Sequence, residues 1–96
     1  MNVGVAQVSL RLPENLSLKG KRQVLKSIIS RVRNKFDVAV AEVDDNDDWQ
    51  LMTIGISAIS NDRRFTNSVL SKVVEFIEKA RFEAEMLDYH IEIIDV

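Results

Sequence analysis

Apolar residues in this chain recur at two periods, and the order of those periods leaves few folds open. Along Val3–Leu12 the period is two. Gly4, Ala6, Val8, Leu10 and Leu12 share one face, Val3, Val5, Gln7, Ser9 and Arg11 share the other, and Pro13 ends the run. Such alternation lays one side of a strand on a core. Ser17–Phe36 then changes to a helical period: Val24, Leu25, Ile28, Ile29, Val32 and Phe36 fall on one arc of a wheel that turns about 100° per residue. Ser17 is placed to cap this helix, because its hydroxyl can accept an orphan backbone N–H. Gly20 stands where a capping box has Glu or Gln.

Val38–Val43 is rich in β-formers, Asp44-Asp45-Asn46-Asp47-Asp48 has the small polar residues of a turn, and Trp49–Ser60 is a second long strand with Met52, Ile54 and Ile56 on one face. A second helix is expected from a cap at Asn61 or Asp62 to about Ala80, with Phe65, Val69, Val73, Phe76, Ile77 and Ala80 as its apolar stripe. Leu87–Val96 alternates again, with Leu87, Tyr89, Ile91 and Ile93 opposed to Asp88, His90 and Glu92. The order βαββαβ predicts an α+β fold, the ferredoxin-like two-layer sandwich: a four-stranded antiparallel sheet with strands 1 and 3 in the centre and two helices on one face. The open face should carry Gln7, Ser9, Thr53, Ser57, Asp88, His90 and Glu92, with Val3, Val5 and Leu51 among them. By analogy with other folds of this kind, a half-apolar open face is expected to close by forming a homodimer.

At 96 residues, 46% hydrophobic and 29% charged, the chain is expected to form one globular domain over 1–96. It has no Cys, which excludes disulfides and thiolate chemistry and fits a reducing compartment. Met1-Asn2-Val3-Gly4 does not begin a charged segment followed by an apolar one, and apolar runs fall far below the roughly 20 residues of a membrane helix. The expected location is the cytoplasm, away from membranes.

The charge is unevenly spread. Residues 1–36 hold eight basic residues against one acid, Glu14, for a net +7; residues 37–96 hold five basic and fourteen acidic residues, for a net −9. On the first helix, with Arg22 at zero, Lys19, Lys26 and Arg33 fall within about 60° beside the apolar arc, along a row of roughly 21 Å. No acid between Lys19 and Lys35 relieves their repulsion. At the helix start, Leu18, Lys19 and Gly20 present backbone N–H groups, Gly20 leaves room for close approach, and Lys19, Lys21 and Arg22 are at hand. Lys19, Gly20, Lys21, Arg22, Lys26 and Arg33 are therefore the candidate phosphate-binding residues, for nucleic acid or another anionic partner. A solvated helix flank has the same composition, and Arg31, Arg33 and Lys35 also suit the negative end of the helix dipole.

Other constellations are weak. An EF-hand counted from Asp44 would place Trp49 where Gly is needed and Gly55 where Glu is needed, so the acidic run is expected to be a turn and no metal site is predicted. His90 is the only His and lacks companion ligands. No serine sits in a motif with a paired base, so no catalytic residue and no cofactor are predicted. RNA-binding sheets stack bases on central-strand aromatics, and only Trp49, at the start of the third strand, is available; it is expected in the core or at a dimer seam.

Several segments together resemble the YlxP-like family of small bacterial proteins of unknown function. They are Val5-Ala6-Gln7-Val8-Ser9-Leu10-Arg11-Leu12-Pro13, Ser17-Leu18-Lys19-Gly20-Lys21-Arg22, Asn34-Lys35-Phe36 with Val40-Ala41-Glu42-Val43, and Ser60-Asn61-Asp62. The resemblance covers essentially the whole chain, with Ser-Leu-Lys-x-Lys-Arg its most specific part; other members commonly carry an acid at the position of Gly20. It implies a ferredoxin-like domain, often dimeric, whose gene tends to lie beside those for translation initiation and ribosome maturation factors. RNA or the ribosome is the partner so implied, and no catalytic residue is carried over. The expected function is a non-enzymatic RNA- or ribosome-associated factor. The alternatives are a structural or regulatory homodimer that binds a small anion or a protein, and an acylphosphatase-like hydrolase. The last needs a Gly-rich loop with an Arg after strand 1, and Pro13-Glu14-Asn15-Leu16-Ser17-Leu18 contains neither.

Overall fold

Alternation along the first strand decides which face of the sheet is covered. In the computed structural model, which describes residues 1–80 and 82–96, strand β1 (Asn2–Arg11) buries Gly4, Ala6, Val8 and Leu10 and turns the intervening residues away. Helix α1 (Leu18–Lys35), strands β2 (Ala39–Asp44) and β3 (Leu51–Ser60), helix α2 (Arg63–Lys79) and strand β4 (Glu85–Asp95) follow. The sheet is antiparallel in the order β2-β3-β1-β4, as the ferredoxin-like reading requires. One core joins Ala6, Val8 and Leu10 of β1, Met52, Ile54 and Ile56 of β3, Ile28 and Val32 of α1, and Leu70, Val73 and Ile77 of α2. On the uncovered face Val5 lies between Ser57 and Glu92, Gln7 between Gly55 and His90, and Ser9 between Thr53 and Asp88, the expected set.

Each helix is capped by the residue its sequence offers. Ser17 Oγ accepts the Gly20 amide at 3.0 Å, and Asp62 Oδ1 accepts the Arg64 amide at 2.9 Å. The α2 cap joins a buried polar node: Thr66 Oγ1 donates to Asn2 Oδ1 at 2.6 Å and lies 2.5 Å from Ser60 Oγ, tying the start of α2 to β1 and β3. Phe36, Phe76 and Phe82 close the seam between the helices in edge-to-face contacts, with ring centroids 5.7 and 6.4 Å apart.

Two details depart from the sequence pattern. The buried stripe of α2 is Thr66, Leu70, Val73, Val74 and Ile77, so Phe65 is exposed rather than in the core. The stripe is rotated toward Thr66 by its bond to Asn2. In β4 a register shift between Ser9 and Leu10 sets Met86, not Leu87, opposite Leu10. Leu87 is pushed outside, a consequence of a β-bulge that period-two counting misses.

Gly4 is what lets α2 lie so close to β1. A Cβ there would stand 2.6 Å from Leu70 Cδ1 and collide with Thr66 Cγ2, and Thr66 is pinned by Asn2. Gly4→Ala is expected to lower stability by about 1–3 kcal/mol in urea denaturation, the usual range for overpacking. Adding Thr66→Ser, which removes the offending methyl, should recover part of the loss.

Candidate anion-binding helix

Helix α1 carries the basic residues because its apolar arc leaves the rest of its circumference free for charge, and its packing sorts those charges into distinct uses. At its start, Gly20 does not open the backbone to an anion as expected. Its amide is taken by Ser17 Oγ, and the space a side chain would fill holds Asn15 Oδ1. Asn15 Nδ2 in turn donates to Ser17 O at 2.7 Å and to Trp49 O. The missing side chain makes room for a strap between the helix start and the β2–β3 hairpin.

Lys21 is also removed from the candidate set. It is 1% exposed, and its ammonium donates to Asp48 O at 2.8 Å and to Asp45 O. Glu42 Oε2 faces it at 3.1 Å as an ion partner without a hydrogen bond of its own. On the helical wheel Lys21 points into the apolar arc, about 100° from Arg22, so a charged side chain there must find its partners inside.

Other cations are engaged at the surface. Arg31 lies over the Phe76 and Phe82 rings at 5.5 and 4.7 Å, and Lys35 over Phe76 at 4.9 Å. Arg11 pairs with Glu85 across the β1–β4 ladder at 2.9 Å. Lys19, Arg22, Lys26 and Arg33 remain on the exposed face of α1. Among the described residues none of the four lies within 4.0 Å of a carboxylate oxygen. Arg33 donates one guanidinium N–H to Val40 O at 3.0 Å, which holds it upright against the edge strand and leaves its other donors free.

Between these cations runs a shallow apolar groove at the margin of the helix's apolar arc. Leu25 and Ile29 form its floor and Arg22, Lys26 and Arg33 its rim. Both apolar residues are only half-buried, and their place at the margin of the arc, next to Arg22, was the available signal. A separate cleft of about 820 Å³ lies on the other side of α1, lined by Gln23, Ser27 and Arg31 but also by Glu14, Glu83 and Glu85, so it does not extend the basic surface.

The acidic run is spent on its own turn. Asp48 N donates to Asp45 O at 3.0 Å, and Asp45 takes a left-handed φ of 63°. Asp45 Oδ2 accepts from Thr53 Oγ1, and Asp48 Oδ1 accepts from the Gln50 and Leu51 amides, each at 2.8 Å. Those two amides hold the Asp48 carboxyl below its ordinary value of 3.8. Among the described residues no group of three or more His, Cys, Asp or Glu is disposed to hold a metal. His90 is exposed on the open face. Trp49, expected in the core or at a dimer seam, is 54% exposed and so lies outside the core. No helix among the described residues is long and apolar enough to cross a membrane.

Residues 3–91 match a family described as "Protein of unknown function (DUF503)". The chain is 41% identical over 76 residues to the uncharacterized protein YlxP of Bacillus subtilis (strain 168), covering 79% of this chain and 83% of that protein. In structure it is similar to LarC2, the C-terminal domain of a cyclometallase involved in the synthesis of the NPN cofactor of lactate racemase, in its apo form. The TM-score is 0.51 at 12% identity, covering 97% of this chain and 54% of the other. The chain thus spans about half the length of that solved protein, and the likeness is one of fold alone.

Removing the Lys21 ammonium leaves Glu42 buried without its counter-ion. Lys21→Ala is expected to cost about 3–5 kcal/mol in urea denaturation, and Lys21→Met with Glu42→Leu to cost much less than the sum of the single changes. Asp48 makes a pH-dependent contribution. Its folded pKa is depressed, so its stabilisation is complete above the unfolded value and is lost as pH falls through the folded one. Asp48→Asn should therefore flatten the acid limb of a stability–pH profile below about pH 4.

Proposed function

The chain belongs to the DUF503 family, and we propose that it is a non-enzymatic, RNA- or ribosome-associated cytoplasmic factor that binds phosphates along α1. One observation carries this reading: Lys19, Arg22, Lys26 and Arg33 share one exposed helix face with no carboxylate within 4.0 Å among the described residues, while the other cations of residues 1–36 each meet a carboxylate or an aromatic ring. Four uncompensated cations along roughly 21 Å repel one another, and a row of phosphates relieves that repulsion. The groove floor of Leu25 and Ile29 adds apolar surface against which sugars or bases can lie.

A second reading has its own support. On the open sheet face Val3 lies between Ile59 and Ile94, two exposed apolar side chains. That patch suits self-association through the sheet, leaving α1 free on the outer side of a homodimer. The two readings are compatible, and Ile59→Glu separates them: it should abolish a dimer in light scattering without changing affinity for RNA.

The phosphate reading predicts binding that is strongly salt-dependent. With a single-stranded RNA probe, the slope of log K against log salt should be about −0.7 per neutralised phosphate, hence about −3 for four cations. Arg22→Glu with Lys26→Glu should weaken binding at least about tenfold at 0.1 M salt and make the slope shallower by about 1.4. Affinity that ignores salt, or survives the double reversal, would falsify the proposal.

A further inference from the structure

Trp49 is the only tryptophan in the chain, and the structure mounts it rigidly while leaving its ring outside. The carbonyl of the preceding residue, Asp48, is held by the buried Lys21 ammonium, and the Asp48 carboxylate accepts the amides of Gln50 and Leu51 on the far side. The carbonyl of Trp49 itself accepts from Asn15. The backbone around Trp49 is therefore fixed by Lys21 and Asn15 from outside the hairpin and by the Asp48 carboxylate within the turn, yet 54% of the residue is exposed. Leu16, beside Asn15, is 77% exposed at the same end of the domain. An indole is a large apolar plate, and a protein that fixes its backbone this firmly without burying the ring has a flat surface ready for a partner.

Its position identifies the partner. Asn15 Nδ2 bridges Trp49 O and Ser17 O, so the indole is rooted one amide side chain from the cap of α1, where the row of free cations begins at Lys19. A fixed aromatic plate at the head of a basic row matches single-stranded nucleic acid, whose bases present π-faces and whose phosphates follow at regular spacing. Duplex RNA keeps its base faces stacked on one another and offers the plate nothing. Resting on the reading that α1 binds phosphates, we infer that the bound nucleic acid is single-stranded and that one of its bases stacks on Trp49.

The sole tryptophan reports directly on this contact. The full chain is titrated with an eight-nucleotide adenine RNA, a duplex RNA and inorganic polyphosphate, following both indole fluorescence and probe anisotropy. The single strand is expected to quench Trp49 and polyphosphate to leave it unchanged. Trp49→Ala is expected to weaken single-strand binding by about 5- to 100-fold, with polyphosphate binding and the salt slope kept, and Trp49→Phe to restore most of the affinity. Single-strand binding that keeps its salt slope but is silent in fluorescence and indifferent to Trp49→Ala overturns the stacking inference and leaves the phosphate row standing. Absence of salt-dependent binding to any of the three probes overturns both. A fall in molecular mass on Trp49→Ala would assign the indole to a contact between copies of the chain and overturn the inference as well.

Discussion

The ammonium of Lys21 is the contact on which the arrangement of α1 and the β2–β3 hairpin depends. It leaves the helix and enters the protein, where it meets two turn carbonyls and the Glu42 carboxylate. Taking an ammonium and a carboxylate out of water costs several kcal/mol each, so the site is tolerable only with its full set of partners. The turn is shaped to supply them. Asp45 accepts a left-handed backbone, at a cost of about 1–2 kcal/mol for a residue with a Cβ, and both Asp45 O and Asp48 O reach the ammonium. No partner of Lys21 belongs to α1, so the pair fixes the helix against the hairpin and not merely the hairpin against itself.

The same helix shows how periodicity distributes charge among different tasks. With Arg22 at zero on the wheel, Lys21 falls within the arc that faces the sheet, Arg31 and Lys35 fall on the margin that faces α2, and Lys19, Arg22, Lys26 and Arg33 fall on the margin beyond the edge strand. The first direction demands an internal counter-ion, the second offers aromatic faces, and the third offers, among the described residues, the Val40 carbonyl that Arg33 meets and no carboxylate within 4.0 Å. The net +7 of residues 1–36 therefore overstates the charge available to a ligand. Of the eight cations in residues 1–36, the four on this face are the ones that, among the described residues, have neither a carboxylate within 4.0 Å nor an aromatic ring beneath them.

Elements whose apolar pattern is local were legible in the sequence. The β1 alternation, both helix caps and the hairpin turn all follow from neighbours within a few residues, and so does the βαββαβ order. What escaped depends on partners far along the chain. Thr66 turns inward because of Asn2, 64 positions away, and this rotates the α2 stripe away from Phe65. Leu87 is displaced by a bulge that exists only once β4 pairs with β1. Lys21 reads as a surface cation because lysine ordinarily is one; its burial is legible only from its wheel position inside the apolar arc, and its tolerance there only from Glu42, 21 residues on. Gly20 is the local exception: its place at the helix start suggests room for an anion, whereas the space beside it is filled by Asn15, five residues back.

Burial of Lys21 and exposure of Trp49 are two results of one constraint. The hairpin turn must present Asp45 O and Asp48 O inward to satisfy the ammonium, and Trp49 follows immediately. With the preceding carbonyl committed to the interior and the next two amides committed to the Asp48 carboxylate, the indole is directed away from the covered face of the sheet. The acidic turn, which repels phosphate by its charge, thus shapes the candidate surface through its geometry: the Asp44, Asp45 and Asp48 carboxylates accept from backbone amides and a threonine hydroxyl, and Asp48 fixes the backbone that carries Trp49. A substitution at Lys21 is then felt at the surface without touching a ligand, because freeing the turn frees the mount of Trp49. In physical terms the buried ammonium positions the turn, and the exposed cations on the next face of the same helix are the groups proposed to bind phosphate.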